Sequence, residues 1–165
     1  MQIRAEIAAD EEAISSLITA AFRGAEHSGG NESEIVDKLR EAGSLTVSLV
    51  AIEHRRIVGH VAFSPVKIDG HSDGWFGLGP VAVAPGHQRH GIGTALIEAG
   101  LATLRTEGAA GCVVLGDPAY YARFGFAADP EFCLQGVPPQ YFQRLSFREP
   151  AHGGLVEYHP AFGII

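Results

Sequence analysis

The chain has 165 residues, enough for one domain with a substantial core, and its 46% hydrophobic and 19% charged residues exclude a disordered polymer. Nineteen Asp and Glu against twelve Lys and Arg leave a formal net charge of −7, which repels phosphate backbones and excludes nucleic acid as the expected partner, while mildly favouring a cationic ligand such as an amine. No apolar run approaches the roughly 18–20 residues that cross a bilayer, and the opening Met1-Gln2-Ile3-Arg4-Ala5-Glu6 lacks a signal-peptide profile, so a cytoplasmic protein with no membrane partner is expected.

In chain order, Ile3, Ala5 and Ile7 alternate as a short strand. Asp10 is placed to cap a helix whose inner stripe is Ile14, Leu17, Ile18, Ala21 and Phe22, at helical spacing. Residues 24–30 interrupt it, and Asn31 with Glu34 has the spacing of a capping box opening a second helix through about Arg40. Residues 45–52 and 56–66 are rich in Val, Ile, Leu and Phe, with a hairpin turn at Glu53-His54-Arg55. A third strand is predicted over 75–84, ending at Pro85-Gly86. A largely buried helix follows from Gly91 to about Glu107, then an inner-sheet strand over 111–115, a short helix, and a last strand over 155–159. This order predicts a mixed α/β sheet, with antiparallel hairpins and one parallel crossover, in a single domain over residues 1–165.

Two cysteines, Cys112 and Cys133, form neither a disulfide framework nor a CxxC pair, and Cys112 reads as a small buried hydrophobe. His87 and His90 have no carboxylate or cysteine near them, so no metal site is expected.

The most informative stretch is the strand that runs through a glycine-bearing turn into the long helix. Such a helix start offers unpaired N–H groups and partial positive charge to an anion, and Gly91 and Gly93 let a phosphate approach the backbone. A Walker A loop needs Lys after its second glycine, whereas Gly91 is followed by Ile92; a dinucleotide fingerprint needs a third glycine where Leu96 stands.

Gln88-Arg89-His90-Gly91-Ile92-Gly93 does fit the pyrophosphate loop Gln/Arg-x-x-Gly-x-Gly/Ala, and Tyr120-Tyr121-Ala122-Arg123-Phe124-Gly125-Phe126 fits a second signature. Both blocks resemble the GNAT acetyltransferases. Gly79-Pro80, Leu115-Gly116-Asp117-Pro118 and Tyr158-His159-Pro160-Ala161-Phe162 are similar to the YhbS-like subgroup, so the resemblance spans nearly the whole chain. It implies a GNAT-type α+β fold, mainly antiparallel and flanked by helices, whose cofactor strand splays from its neighbour. It implies acetyl-CoA held by the main chain of Val81, Ala82 and Val83 and, at its pyrophosphate, by the N–H groups of Gln88, Arg89, His90, Gly91, Ile92, Gly93 and Thr94. Tyr121 occupies the family's general-acid position. The implied reaction is acetyl transfer to a primary amine, on a small molecule or a protein, by direct attack in a ternary complex of a monomer or homodimer.

The chain departs from the family at its base. Many relatives carry a glutamate on the cofactor strand, whereas Gly77-Leu78-Gly79-Pro80-Val81 has no carboxylate. Glu34, His60 and a chain of water molecules remain as routes for the amine proton. The same departure keeps open an inactive module that binds CoA as a sensor or partner.

Overall fold

The computed structural model describes residues 1–25, 29–149 and 151–163. Its elements are β1 (Gln2–Ala5), α1 (Glu11–Phe22), α2 (Glu32–Glu41), β2 (Val47–Glu53), β3 (Arg56–Pro65), β4 (Lys67–Ile68) and β5 (Trp75–Val83). Then come α3 (Ile92–Thr106), β6 (Gly111–Leu115), α4 (Pro118–Tyr121), β7 (Ala127–Ala128), β8 (Phe132–Cys133), β9 (Phe142–Ser146) and β10 (Gly154–Glu157). Hydrogen-bonded strands succeed one another as β1-β2-β3-β5-β6-β9-β7, and β4-β10-β8 form a small second sheet. In the larger sheet β5 and β6 run parallel, while the β1–β2, β2–β3, β6–β9 and β7–β9 pairs are antiparallel. Among the described residues no helix is long and apolar enough to cross a membrane. The chain divides into two compact units, Met1–Phe63 with Gly79–Gly100 and Ser64–Leu78 with Leu101–Ile165.

In the first unit the stripe of α1 does what its spacing predicts. Ile14, Leu17 and Ile18 join Val36 against Val50, Ala62 and Ala82 of the strands in one buried cluster. The two-residue turn between β2 and β3 uses His54 and Arg55 at φ 50° and 66°, the left-handed pair that a tight hairpin requires. Two local expectations fail. Asp10 caps nothing on α1; its carboxylate reaches back to the Ile7 N–H (2.8 Å) and takes two bonds from Arg4 (2.7 and 3.1 Å). Asn31 sits at φ −119°, ψ 15°, outside the extended geometry of a side-chain cap, and makes no cap bond, while Glu34 turns toward Lys38 one helical turn on (3.3 Å). Of the interruption predicted over 24–30, residues 26–28 lie outside the described residues.

Helix α3 approaches β3 closely because small residues face it. A Cβ at Gly59 would stand 2.8 Å from Ile92 Cγ2 and 2.9 Å from Leu96 Cδ1, and a Cβ at Gly100 would run into the Phe63 ring. Gly100→Ala is therefore expected to destabilise the fold by about 1–3 kcal/mol through overpacking, although helix propensity alone favours Ala by up to about 1 kcal/mol. Urea unfolding of the two proteins measures the difference; a more stable variant contradicts this close packing.

In the second unit the β5–β6 ladder pairs Trp75 with Gly111, Phe76 with Cys112 and Gly77 with Val113. The core gathers Val66, Ile68, Trp75, Val113, Phe132, Leu134, Phe142, Val156 and Tyr158, with the Trp75 and Phe132 rings 4.9 Å apart. The predicted strand over 111–115 forms with those bounds as β6, and the predicted last strand forms as β10. The sequence reading passed over β4, β7 and β8, which are two residues each, and β9, whose Gln143 is buried on an inner strand. Its amide donates to the Gly116 carbonyl (3.2 Å), so a polar residue fills a position that patterning reserves for an apolar one.

Candidate functional site

The site begins where β5 becomes a strand with a spare edge. The register with β6 covers Trp75 to Gly77. Beyond it stand Gly79, at φ 137°, and Pro80, which has no N–H to give a ladder. Ala82 is buried in the first unit's cluster, whereas Val81 and Val83 are half-buried. The Ala84 N–H returns to the Val58 carbonyl (2.8 Å) and holds the end of β5 to β3.

A short 3-10 turn, Pro85–His87, follows, closed by a bond from the His87 N–H to the Ala84 carbonyl (2.8 Å). Gln88 then folds back, and its amide donates to the Val83 carbonyl (3.1 Å). That bond fastens the turn to the strand and gives Gln88 a local duty besides any contact to a ligand. Arg89 and Gly91 take positive φ (66° and 81°), and α3 starts at Ile92, with the Ala95 N–H bonded to the Gly91 carbonyl (3.0 Å). Gln88, Arg89, His90 and Gly91 are exposed, Ile92 is buried as the anchor, and Gly93 and Thr94 are half-buried. The N–H groups of Ile92 and Gly93 stand in the first helical turn, where an anion is favoured. Apart from its own chain neighbours, no heavy atom of the described residues lies within 4 Å of where a Gly91 Cβ would stand, so this face of the loop is open to a phosphate.

In the second unit Tyr121 closes α4. Pro118 opens that helix and Asp117 caps it, accepting from the Ala119 N–H (3.0 Å), which is the structural duty of Asp117. The Tyr121 ring is wedged among Tyr120, Phe126 and Phe124 at centroid distances of 5.0, 5.9 and 6.2 Å. A Cβ at Gly116 would lie 2.5 Å from its Cε2, so glycine there makes room for the ring. Burial pushes the phenol up to about 12, reinforced by Tyr120, Cys112 and Asp117. The group stays protonated through neutral pH and keeps a proton to donate.

The two candidate bases lie in different surroundings within the first unit. Glu34 is exposed on α2 and paired with Lys38. His60 is completely buried on β3, its Nε2 2.8 Å from Ser48 Oγ. Ser48 donates a short bond to Glu6, whose carboxylate also receives two bonds from Arg40 (2.8 and 3.0 Å). Since the serine proton goes to Glu6, the imidazole must donate through Nε2, and its Nδ1 is left a buried acceptor with no partner among the described residues. Burial lowers the His60 pKa to about 4, and Arg40 pushes the same way against Glu6. His60 is thus a neutral member of a polar network. The sequence reading missed Glu6, Arg40 and Ser48 as its partners; the available signal was Ser48 itself, a hydroxyl inside the apolar run of β2. Among the described residues no group of three or more His, Cys, Asp or Glu is placed to hold a metal.

Residues 45–128 match the family model of the acetyltransferase (GNAT) domain. The uncharacterized N-acetyltransferase YhbS of Escherichia coli K12 is 38% identical over 169 residues, covering 98% of each chain. A GNAT family acetyltransferase from Brucella melitensis, crystallised with acetyl-CoA, is 50% identical and superposes with a TM-score of 0.88 over 98% of this chain and 97% of its own. E. coli YhbS in complex with CoA gives a TM-score of 0.88 at 36% identity, over 98% of this chain and 91% of its own. Both the domain match and the full-length similarity establish that the chain belongs to the GNAT family of acetyltransferases.

Proposed function

We propose that residues 1–165 act as one N-acetyltransferase domain that moves an acetyl group from acetyl-CoA to a primary amine by direct attack in a ternary complex. The observation that carries this is the continuous run from the end of β5, beyond its register with β6, through the Gln88–Gly93 turn into α3, with its open Gly91 face. The main chain of Val81, Ala82 and Val83 holds the pantetheine arm, and the loop from Gln88 to Thr94 holds the pyrophosphate. Acetyl-CoA supplies an activated acyl group. The amine is a small molecule or a protein amino group, and the enzyme works in the cytoplasm as a monomer or homodimer.

The protein's own groups then have three duties. A backbone N–H of the Val81–Val83 segment faces the carbonyl oxygen as it gains charge. Tyr121 stands as the general acid for the departing sulfur. A phenol at about 12 is a weaker acid than an ordinary thiol near 8.5, so its hydrogen bond does most of the work and its proton crosses only as the amine's proton becomes available. Third, the amine must lose a proton. His60, buried and held near 4, is too weak a base for an ammonium near 10.4, and Glu34 is an exposed ion-pair partner. Water leading to solvent is therefore the favoured route for that proton.

Thermal melting tests the reading. Acetyl-CoA at a hundredfold its dissociation constant is expected to add about 2.7 kcal/mol of stability, with NAD and ATP adding nothing comparable. A shift with ATP or NAD alone rejects it. The missing carboxylate between Gly77 and Val81 favours one rival, a CoA-binding module without turnover. That rival is supported if acetyl-CoA binds but no amine in a panel of polyamines, amino acids and lysine peptides releases CoA thiol.

A further inference from the structure

Basic side chains gather at one place in a chain whose net charge is −7. In the first unit a groove of about 590 Å³ runs between α1 and the tip of the β2–β3 hairpin, and Arg4, Arg55 and Arg56 all line it. Asp10 is the one carboxylate among its described lining residues, so three guanidiniums against one carboxylate leave an excess of two positive charges. Arg55 and Arg56 are exposed and have no ion-pair partner among the described residues; the neighbouring Glu53 carboxylate lies toward His87 (3.8 Å). Leu17, Ile52 and Ile57 give the groove an apolar side. A cleft of one sign over an apolar wall concentrates the opposite charge, and the guanidinium fork matches an oxyanion.

Two local features hold these cations in place against what the backbone alone prefers. Arg55 takes the second left-handed position of the two-residue turn, at φ 66°, where Gly and Asn are the ordinary choices. An arginine held in that conformation is strained, and strain of this kind gathers where a side chain has a task. Asp10 leaves α1 uncapped; its buried carboxylate instead takes both terminal nitrogens of Arg4 (2.7 and 3.1 Å) together with the Ile7 N–H (2.8 Å). The Arg4 fork is thereby fixed at the groove before any ligand arrives, which lowers the entropy lost on binding.

None of the described lining residues belongs to Val81–Val83 or to Gln88–Thr94, although Ala84 and Pro85, which lie between those segments, stand in the wall. We infer that the groove is a second anion site, separate from the cofactor turn, for a small organic oxyanion: a carboxylate or a phosphate monoester. Its oxygens meet Arg4, Arg55 and Arg56, and its apolar body lies on Leu17, Ile52 and Ile57. The same three arginines repel an ammonium group, so the groove does not serve as the entry for an amine. This inference stands independently of the acetyl-CoA reading.

NMR titrations of the whole chain with phenyl phosphate, benzoate, inorganic phosphate and benzyl alcohol, each with and without saturating CoA, test this. Phenyl phosphate or benzoate is expected to shift the Arg55 and Arg56 amides and the Leu17, Ile52 and Ile57 methyls whether or not CoA is present. The tighter of the two identifies the oxyanion that the forks prefer, and it should bind at least about fivefold tighter than inorganic phosphate, which has no apolar body. Benzyl alcohol, which has no charge, should shift nothing there. In the double variant Arg55→Gln with Arg56→Gln the affinity is expected to fall about tenfold or more, while the melting temperature holds because both side chains are exposed. Unchanged affinity in that variant overturns the inference, and so do shifts confined to Gln88–Thr94 that vanish with CoA. An absence of shifts at Arg55 and Arg56 overturns it too; if wild type then sediments as a dimer that the double variant splits, the occupant of the groove is a second copy of the chain.

Discussion

Tyr121→Phe is expected to lower the rate constant for acetyl transfer by about 10²–10³-fold, the usual contribution of a positioned acid, and to leave the affinity for acetyl-CoA within about twofold. The separation of the two effects follows from how the ring is held. Tyr120, Phe124 and Phe126 surround it and Gly116 leaves it room, and Phe keeps all of those contacts. Only the hydroxyl is lost, with its proton held ready by burial. Because the phenol is pushed up to about 12, wild type should show no alkaline fall in rate from this group below pH 10. Stopped assays of thiol release give the rate constant, and calorimetry gives the affinity. A variant turning over within threefold of wild type would show that the departing sulfur needs no help from Tyr121.

The second large effect is on stability in acid. His60 titrates near 6.5 in an unfolded chain and is lowered to about 4 inside the fold. Between those values the unfolded chain takes up a proton that the folded one refuses. Stability is therefore complete above about pH 6.5 and declines as the pH falls toward 4. The linked loss is on the order of 3 kcal/mol, roughly 10 °C in melting temperature for a chain of this size. Glu6 has the same sign: its pKa is lowered although burial alone raises it, because Arg40 and Ser48 bond its carboxylate and Arg40 and His60 add favourable charge. The groups facing His60 are Glu6, Ser48 and Arg40, and Arg40 is itself paired with Asp37 and Glu11. Melting curves for wild type and His60→Gln between pH 7 and 4.5 should diverge, with the variant losing about half as much. Parallel curves would move the acid sensitivity to the carboxylates alone.

How far the molecule could be read from its residues differs by region. The stripe of α1 announces itself because one face is apolar, and the β2–β3 hairpin and the short strand β6 because they are near-continuous apolar runs bounded by turn residues. The Gln88–Gly93 turn stands out in the sequence for a different reason: Gly91 takes a positive φ of 81°, which few residues allow. The small strands β4, β7 and β8 left no periodicity to find. Caps at Asp10 and Asn31 were misread because a local pattern competes with partners elsewhere, Arg4 for one and backbone geometry for the other. The network around His60 joins Glu6, Arg40 and Ser48 across 54 positions, and a linear pattern holds no trace of such a meeting.

The two buried clusters also differ in when they can be completed as the chain is made. The cluster of Ile14, Leu17, Ile18, Val36, Val50, Ala62 and Ala82 draws on the first half of the sequence, so its members are all present early in translation. The cluster around Trp75 also begins early, with Val66 and Ile68, yet it waits for Phe132, Phe142, Val156 and Tyr158. During that interval Val66, Ile68 and Trp75 have one another but lack those later partners, and they are exposed to chaperones or to other nascent chains. Nascent-chain aggregation should therefore respond most strongly to changes late in the sequence, at Val156 and Tyr158.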